Sequence, residues 1–239
     1  MSTTVQINPS KSQIKEMPHN IEAEQGLLGA ILLNNDILFD ISEIIEIEHF
    51  YEEIHKKIYE VINKIVAKGQ IATPITLKNY FEIEKSLEEI ESKGFKVVDK
   101  DFERPWGGFL VIDESQAQDF SNSFFNGIDV SKLKISGKLS PKILMVKSKS
   151  RLSWQYHFRR EEIWRVYKGT VGVVVSDTNS EKEMIKFRQG DQIKLKKEQR
   201  HRLVGLDDWA VIAEIWQHTE KDNPSDEDDI VRINDDYGR

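Results

Sequence analysis

The chain of 239 residues contains no cysteine, which excludes disulfides, thiolate nucleophiles and cysteine-ligated zinc or iron–sulfur sites. It also lacks an excess of basic charge. Its 34 Lys and Arg stand against 41 Asp and Glu, a net charge of −7, so no direct nucleic-acid binding through bulk electrostatics is expected. No long hydrophobic run is present. The longest, Leu27 to Leu33 with Gly29 inside it, is far too short to span a bilayer. The N-terminus lacks a basic segment followed by an apolar core, so no secretory signal is expected and the protein reads as soluble and cytoplasmic. A phosphate-cradling Gly-x4-Gly-Lys-Ser/Thr loop is missing too. Gly137-Lys138 has neither the upstream glycine nor the following hydroxyl, which predicts no ATPase activity.

What is present divides into two periods. In the first part, Ile54, Ile58, Val61, Ile62, Ile65 and Val66 recur at helical spacing, and Gly69 after Lys68 supplies a C-terminal stop. Leu27, Leu28, Ile31 and Leu32 form a second stripe with Asn20 as N-cap, and Thr76 can cap a third helix carrying Leu77, Tyr80 and Phe81. Glu82 through Lys93 is mostly Glu, Lys and Ser, ended by Gly94, and reads as a helical linker. After Phe95 the period becomes two. Phe109 and Val111 alternate with Leu110 and Ile112, Val171, Val173 and Val175 follow the turn at Lys168-Gly169, and Ile193, Leu195 and Ala210 to Trp216 add further strands. Many short strands with glycine turns predict an all-β sandwich or barrel. No segment repeats at a fixed period. The reading is a helical module joined to a β-barrel, with boundaries at 1–17 (a flexible N-terminus), 18–84, a linker at 85–99, and 100–239.

One constellation in the second part carries chemistry. Gln155 and His157 stand two apart and project from one face of a strand. Glu162 lies beyond a short polar turn, where an antiparallel strand can return it beside them, and His201 follows Gly190-Asp191 in a third strand-like stretch. Two imidazoles, one carboxylate and one amide oxygen suit a borderline divalent ion, zinc first, with manganese, iron or cobalt as alternatives.

The run Pro18-His19-Asn20-Ile21-Glu22-Ala23-Glu24-Gln25, then Leu27-Leu28-Gly29-Ala30-Ile31-Leu32-Leu33, resembles the opening of the N-terminal domain of DnaB-type replicative helicases. The likeness continues through His49-Phe50-Tyr51, His55, Ile58-Tyr59, Lys68-Gly69 and Ile75-Thr76-Leu77 and fades at Glu84. It implies an α-helical module that dimerises and contacts primase or helicase, without the motor and without its last helices.

Arg104-Pro105-Trp106-Gly107, Leu152-Ser153-Trp154-Gln155-Tyr156-His157, Arg160, Glu162, Trp164, Gly169, His201-Arg202-Leu203 and Asp228-Asp229-Ile230-Val231-Arg232 with Asp236-Tyr237-Gly238-Arg239 resemble the cupin domain of type II mannose-6-phosphate isomerases. That resemblance implies a double-stranded β-helix, or jelly-roll, barrel with Gln155, His157, Glu162 and His201 as ligands of a divalent ion. It further implies a sugar-phosphate substrate and an aldose–ketose isomerisation, in which the ion polarises the carbonyl oxygen. Arginine's planar fork fits a phosphate, so Arg160, Arg202 and Arg239 are the phosphate candidates. Lys142, flanked by Pro141 and an apolar strand, is the candidate general base. Gln116 to Lys142 departs from the family pattern as an insertion expected to reshape the pocket mouth, and Arg159 stands where many relatives have histidine.

His19, His49 and His55 are too scattered to form a ligand set, His218 reads as a strand-end histidine, the tryptophans read as barrel core, and the acidic run Asp222 to Asp229 reads as a solvated loop. Two rival readings stand beside the isomerase. One is a sugar-binding cupin that does not turn its ligand over. The other is a replication interaction module carrying the barrel as a passenger.

Overall fold

The computed structural model describes residues 18–133 and 137–238; the 1–17 segment and Arg239 lie outside the described residues. By internal contacts the chain falls into two compact units, 1–77 and 78–239. Among the described residues no helix is long and apolar enough to cross a membrane.

The first unit is helical. Helix α1 (Ile21–Leu33) begins where the Asn20 side chain accepts from the Ala23 N–H at 3.0 Å, which satisfies one of the donors a helix start leaves open. After α2 (Asp36–Ile41), helix α3 (Glu53–Ala67) buries Tyr59, Val61, Ile62 and Ile65. It ends as expected at Gly69, whose φ of 73° suits the left-handed C-cap position. Asn35 pins the following loop by donating to Ala72 O at 2.9 Å and accepting from Ala72 N–H at 2.7 Å. His55 is buried and paired with Glu24 at 2.7 Å; the same carboxylate accepts from Tyr51 N–H at 2.7 Å. Helix α4 (Pro74–Ser92) starts one turn before the expected cap. Thr73 and Thr76 exchange backbone-to-hydroxyl bonds at 2.7 and 3.1 Å around Pro74, a reciprocal cap with proline at the first helical position.

The second unit opens with the later half of α4. Where a linker is expected at 85–99, the chain is helix to Ser92 and strand from Val97, with Leu87 and Ile90 buried. The strands are β1 (Val97–Arg104), β2 (Gly107–Ile112), β3 (Lys142–Val146), β4 (Trp154–Tyr156), β5 (Arg160–Lys168) and β6 (Thr170–Ser176). They continue as β7 (Ile185–Arg188), β8 (Gln192–Leu195), β9 (Arg200–Gly205), β10 (Ala210–His218) and β11 (Val231–Asn234). Two antiparallel sheets result, in the orders β1-β2-β3-β10-β5-β8 and β11-β4-β9-β6-β7. The pairs β3–β10, β4–β9, β5–β8 and β6–β7 nest inside one another. This is a long antiparallel ribbon rolled up on itself, the jelly-roll arrangement of a cupin barrel. Gly169 turns β5 into β6 at φ 78°, where a Cβ would lie 2.9 Å from Trp209 O.

Strand alternation then builds two apolar layers. Leu144, Trp164, Val166, Val171, Val173, Leu203 and Ile212 fill the space between the sheets. Ile143, Met145, Ile163, Ala213 and Ile215, in the opposite register of the same strands, face away and pack with Ile83, Leu87 and Ile90 of α4. Phe120 and Phe124 of α5 (Ala117–Phe124), together with Phe125, join this outer layer. The described part of the 116–142 insertion therefore covers the back of a sheet. Among those residues only Lys142 reaches the cavity described below, which corrects the expectation of a reshaped mouth.

Candidate metal centre

Register brings the candidate ligands together. Gln155 of β4 lies directly opposite His201 of β9. Glu162 of β5 faces the same interior, opposite Trp216 of β10. His157 leaves β4 at the turn into β5. His157, Glu162 and His201 are each only 2% exposed, and one ligand atom from each lies within 4.8 Å of the others.

Hydrogen bonding fixes how the imidazoles point. His157 Nδ1 lies 2.5 Å from Asp229 O, and His201 Nδ1 lies 2.9 Å from Gln199 O. A carbonyl oxygen only accepts, so each ring carries a proton on Nδ1; His201 Nε2 is left without a partner, while His157 Nε2 lies 3.1 Å from Arg160 Nη2. Those nitrogens face the carboxylate: His157 Nε2 is 3.1 Å from Glu162 Oε1, and His201 Nε2 is 3.4 Å from Glu162 Oε2. Two acceptors confront each other across the second gap, and both atoms are buried without a hydrogen-bond partner. A buried pair of lone pairs is costly unless a cation or proton lies between. The donor set, two imidazoles and a carboxylate, fits a divalent ion of the zinc class. Gln155 presents its amide nitrogen 3.4 Å from His157 Nε2, while its oxygen accepts from Ser153 Oγ at 2.5 Å; a half-turn of the amide would exchange the two.

Burial and charge set the protonation states. Burial alone would raise the Glu162 carboxyl, but the cationic surroundings, among them the permanently charged Arg160 guanidinium that donates to it at 2.8 Å, hold it well below the usual carboxylate range. Burial pushes His201 down to about 4 against the pull of Glu162, which leaves it neutral and ligand-competent at pH 7.

Beside the centre lies a cavity of about 400 Å³. Gln155, Arg160 and Glu162 line it, with Trp106, Trp164 and Trp216 as apolar walls and Arg104, Lys142, Glu214, Glu227 and Arg232 as charged ones. Arg160 is buried. It donates to Glu162 Oε1 at 2.8 Å and to Ser225 Oγ at 2.9 Å and stacks on Trp216 at 3.6 Å. Lys142 Nζ pairs with Glu227 and lies 3.7 Å from the Trp216 ring centroid. Arg202 is placed elsewhere. It follows His201 along β9, so it takes the opposite face, where it meets Glu181 at 2.9 Å and Asn234 O at 3.0 Å. Arg239 lies outside the described residues. His218 is buried at the end of β10 and does not line the cavity. The acidic run is solvated at Asp222, Asp226, Glu227 and Asp228, as expected, but Ser225 and Asp229 within it are buried.

Sequence reasoning missed Glu214, Arg104 and Arg232. Glu214 is buried in β10 opposite Trp164, whose Nε1 donates to it at 2.9 Å. The available signal was its phase. It alternates with Ile212 and Trp216, an acid in the interior register of a strand. Burial, then the charge of Glu162, raises its carboxyl to about 7 against the opposing pull of Lys142 and Arg160. Because the folded value exceeds the unfolded one, this group's contribution is complete below the unfolded value and is lost as pH rises through about 7. In metal-free protein, Glu214→Gln and wild type should therefore melt together near about pH 4, with the variant at least about 3 °C more stable near about pH 8. Calorimetry at both pH values checks this; a constant offset would contradict it.

Residues 16–97 match the family model described as DnaB-like helicase N terminal domain, past the Glu84 at which the motifs fade. Residues 124–235 match the one described as Mannose-6-phosphate isomerase C-terminal. The replicative DNA helicase DnaB of Rickettsia prowazekii is 52% identical over 79 residues, which are 33% of this chain and 16% of the helicase. That of Geobacillus stearothermophilus is 36% identical over 73 residues, 30% of this chain and 16% of the helicase. This chain thus spans only 16% of the length of these curated relatives. Among solved structures, the capsular polysaccharide assembling protein CapF from Staphylococcus aureus is similar with 12% identity and a TM-score of 0.38, over 59% of this chain and 34% of that one. One chain therefore carries the N-terminal domain of DnaB-like helicases and, after it, the C-terminal cupin domain of the mannose-6-phosphate isomerase family.

Proposed function

We propose that the barrel is a metal-dependent isomerase of sugar phosphates, interconverting an aldose phosphate and its ketose phosphate, with mannose 6-phosphate and fructose 6-phosphate as the first pair. The observation that carries this reading is the confrontation of the bare His201 Nε2 with Glu162 Oε2 at 3.4 Å, beside a cavity lined by charged side chains of both signs. His157, Glu162 and His201, with Gln155 after a turn of its amide, would hold the ion, zinc first. Bound there, a divalent ion would supply Lewis-acid stabilisation of charge developing on the sugar oxygens. The chain's own side chains do the rest. Arg104, Lys142 and Arg232 give the phosphate a cationic wall, and Trp106 and Trp216 offer apolar surface to the sugar. Glu214, a buried carboxyl facing the cavity and poised near 7, moves the proton between adjacent carbons.

Nuclear magnetic resonance in deuterated water tests this with metal-loaded protein and mannose, glucose and heptose phosphates. Deuterium should enter beside the carbonyl of at least one of them, and Glu214→Gln should slow that exchange by about 10²–10⁴-fold. Absence of exchange for every sugar phosphate tested, with metal bound, would leave a sugar-binding barrel in place of an enzyme.

A second reading concerns the helical unit alone. Leu33, Phe39, Ile71 and Ile75 remain exposed there, which favours cover by a second copy in a homodimer or by a helicase or primase surface.

A further inference from the structure

The acidic run after β10 does more than close the chain, and one of its residues reaches the metal centre twice. Asp229 is buried. Its backbone carbonyl lies 2.5 Å from His157 Nδ1. Its carboxylate accepts from Phe158 N–H at 3.0 Å and from Arg159 N–H at 2.9 Å, the two backbone donors of the turn between His157 and Arg160. Ser225 Oγ donates to the same carboxylate at 2.6 Å while accepting from Arg160 Nη1 at 2.9 Å. Asp226 holds the segment from below by accepting from the Asp229 N–H at 3.0 Å. Without the carboxylate, two part-buried backbone N–H groups of the turn lose their acceptor, and the carbonyl that meets His157 loses its anchor.

We propose that Asp229 is the positioning residue of the metal centre: its carbonyl holds the His157 proton on Nδ1, so that Nε2 is the acceptor facing Arg160 Nη2 at 3.1 Å, and its carboxylate clamps the turn that aims His157 and Arg160 at Glu162. This inference rests on the metal reading above for its consequence, but not for its geometry. A His157 free to carry its proton on Nε2 would present a donor where a lone pair is needed. An outer partner of this kind typically governs affinity by 10–100-fold.

The test compares wild type with Asp229→Asn, which keeps the shape and the backbone carbonyl but turns an amide nitrogen toward N–H donors. Co²⁺ titration with visible absorption reads affinity and ligand field. Imidazole ¹⁵N spectra of the metal-free full chain read the tautomer independently of any ion. Asp229→Asn should weaken Co²⁺ binding by about 10–100-fold, alter the absorption bands, and convert His157 from the Nδ1–H form to a mixture while His201 stays unchanged. Ser225→Ala, which leaves the carboxylate in place, should show the same changes at smaller amplitude, and it serves if Asp229→Asn does not fold. Unchanged Co²⁺ affinity together with an unchanged His157 tautomer in the folded variants overturns the proposal. If wild type binds no Co²⁺, the metal reading falls alone, and the tautomer shift still decides the role of Asp229.

Discussion

Replacing Glu162 with glutamine is expected to reduce bound divalent metal from about one ion per chain to less than about a tenth of that after dialysis. The substitution removes the only formal negative charge of the ligand set. It also changes what the imidazoles face. The new amide nitrogen can donate to the bare His201 Nε2, now 3.4 Å from a carboxylate oxygen, so the lone-pair confrontation is resolved without an ion. The price is paid by Arg160, which loses a charge-assisted bond of 2.8 Å. The folded barrel should persist, because the apolar layer between the sheets is untouched. Elemental analysis of wild type and Glu162→Gln, each confirmed folded by tryptophan fluorescence, checks this. Equal metal in both would remove Glu162 from the centre.

The second large effect is on stability, at a position the sequence assigns to a linker. Ile90 is 1% exposed and packs in the outer layer with Leu110, Phe120 and Ile143. Ile90→Ala should destabilise the barrel unit by about 2–5 kcal/mol, through lost burial and the cavity left behind. Glu91→Ala, one residue on and exposed, should change it by less than about 0.5 kcal/mol. Denaturant unfolding followed by tryptophan fluorescence reads this unit alone, because all 5 tryptophans lie between residues 106 and 216. An Ile90→Ala midpoint equal to wild type would mean that the later half of α4 is dispensable to the barrel.

That helix also shows why part of the fold was hidden. Ile83, Leu87 and Ile90 follow helical spacing, but they sit among Glu, Lys and Ser from Glu82 to Lys93. A helix lying on the back of a sheet needs only a narrow apolar stripe, and such a stripe is easily outvoted by its charged face. The cap at Asn20 and the stop at Gly69 were legible because they depend on local chemistry alone. So was the gathering of Gln155, His157, Glu162 and His201. Gln155 and His157 are two apart, and the period of a strand places both on one face. The same period separates Arg202 from His201, since adjacent residues take opposite faces. Glu214 was legible only through its phase, an acid alternating with Ile212 and Trp216 along β10. The Asp229 contact to His157 runs through a backbone carbonyl, which carries no side-chain signal at any position.

His157, Glu162 and His201 are proposed to hold one divalent ion beside the cavity. X-ray absorption at the zinc edge of the loaded protein addresses this most directly. The account predicts a shell of nitrogen and oxygen ligands at about 2.0–2.2 Å with multiple scattering from two imidazoles, lost in a His157→Ala, His201→Ala double variant. An all-oxygen shell without imidazole scattering, or a spectrum unchanged in the double variant, would contradict it.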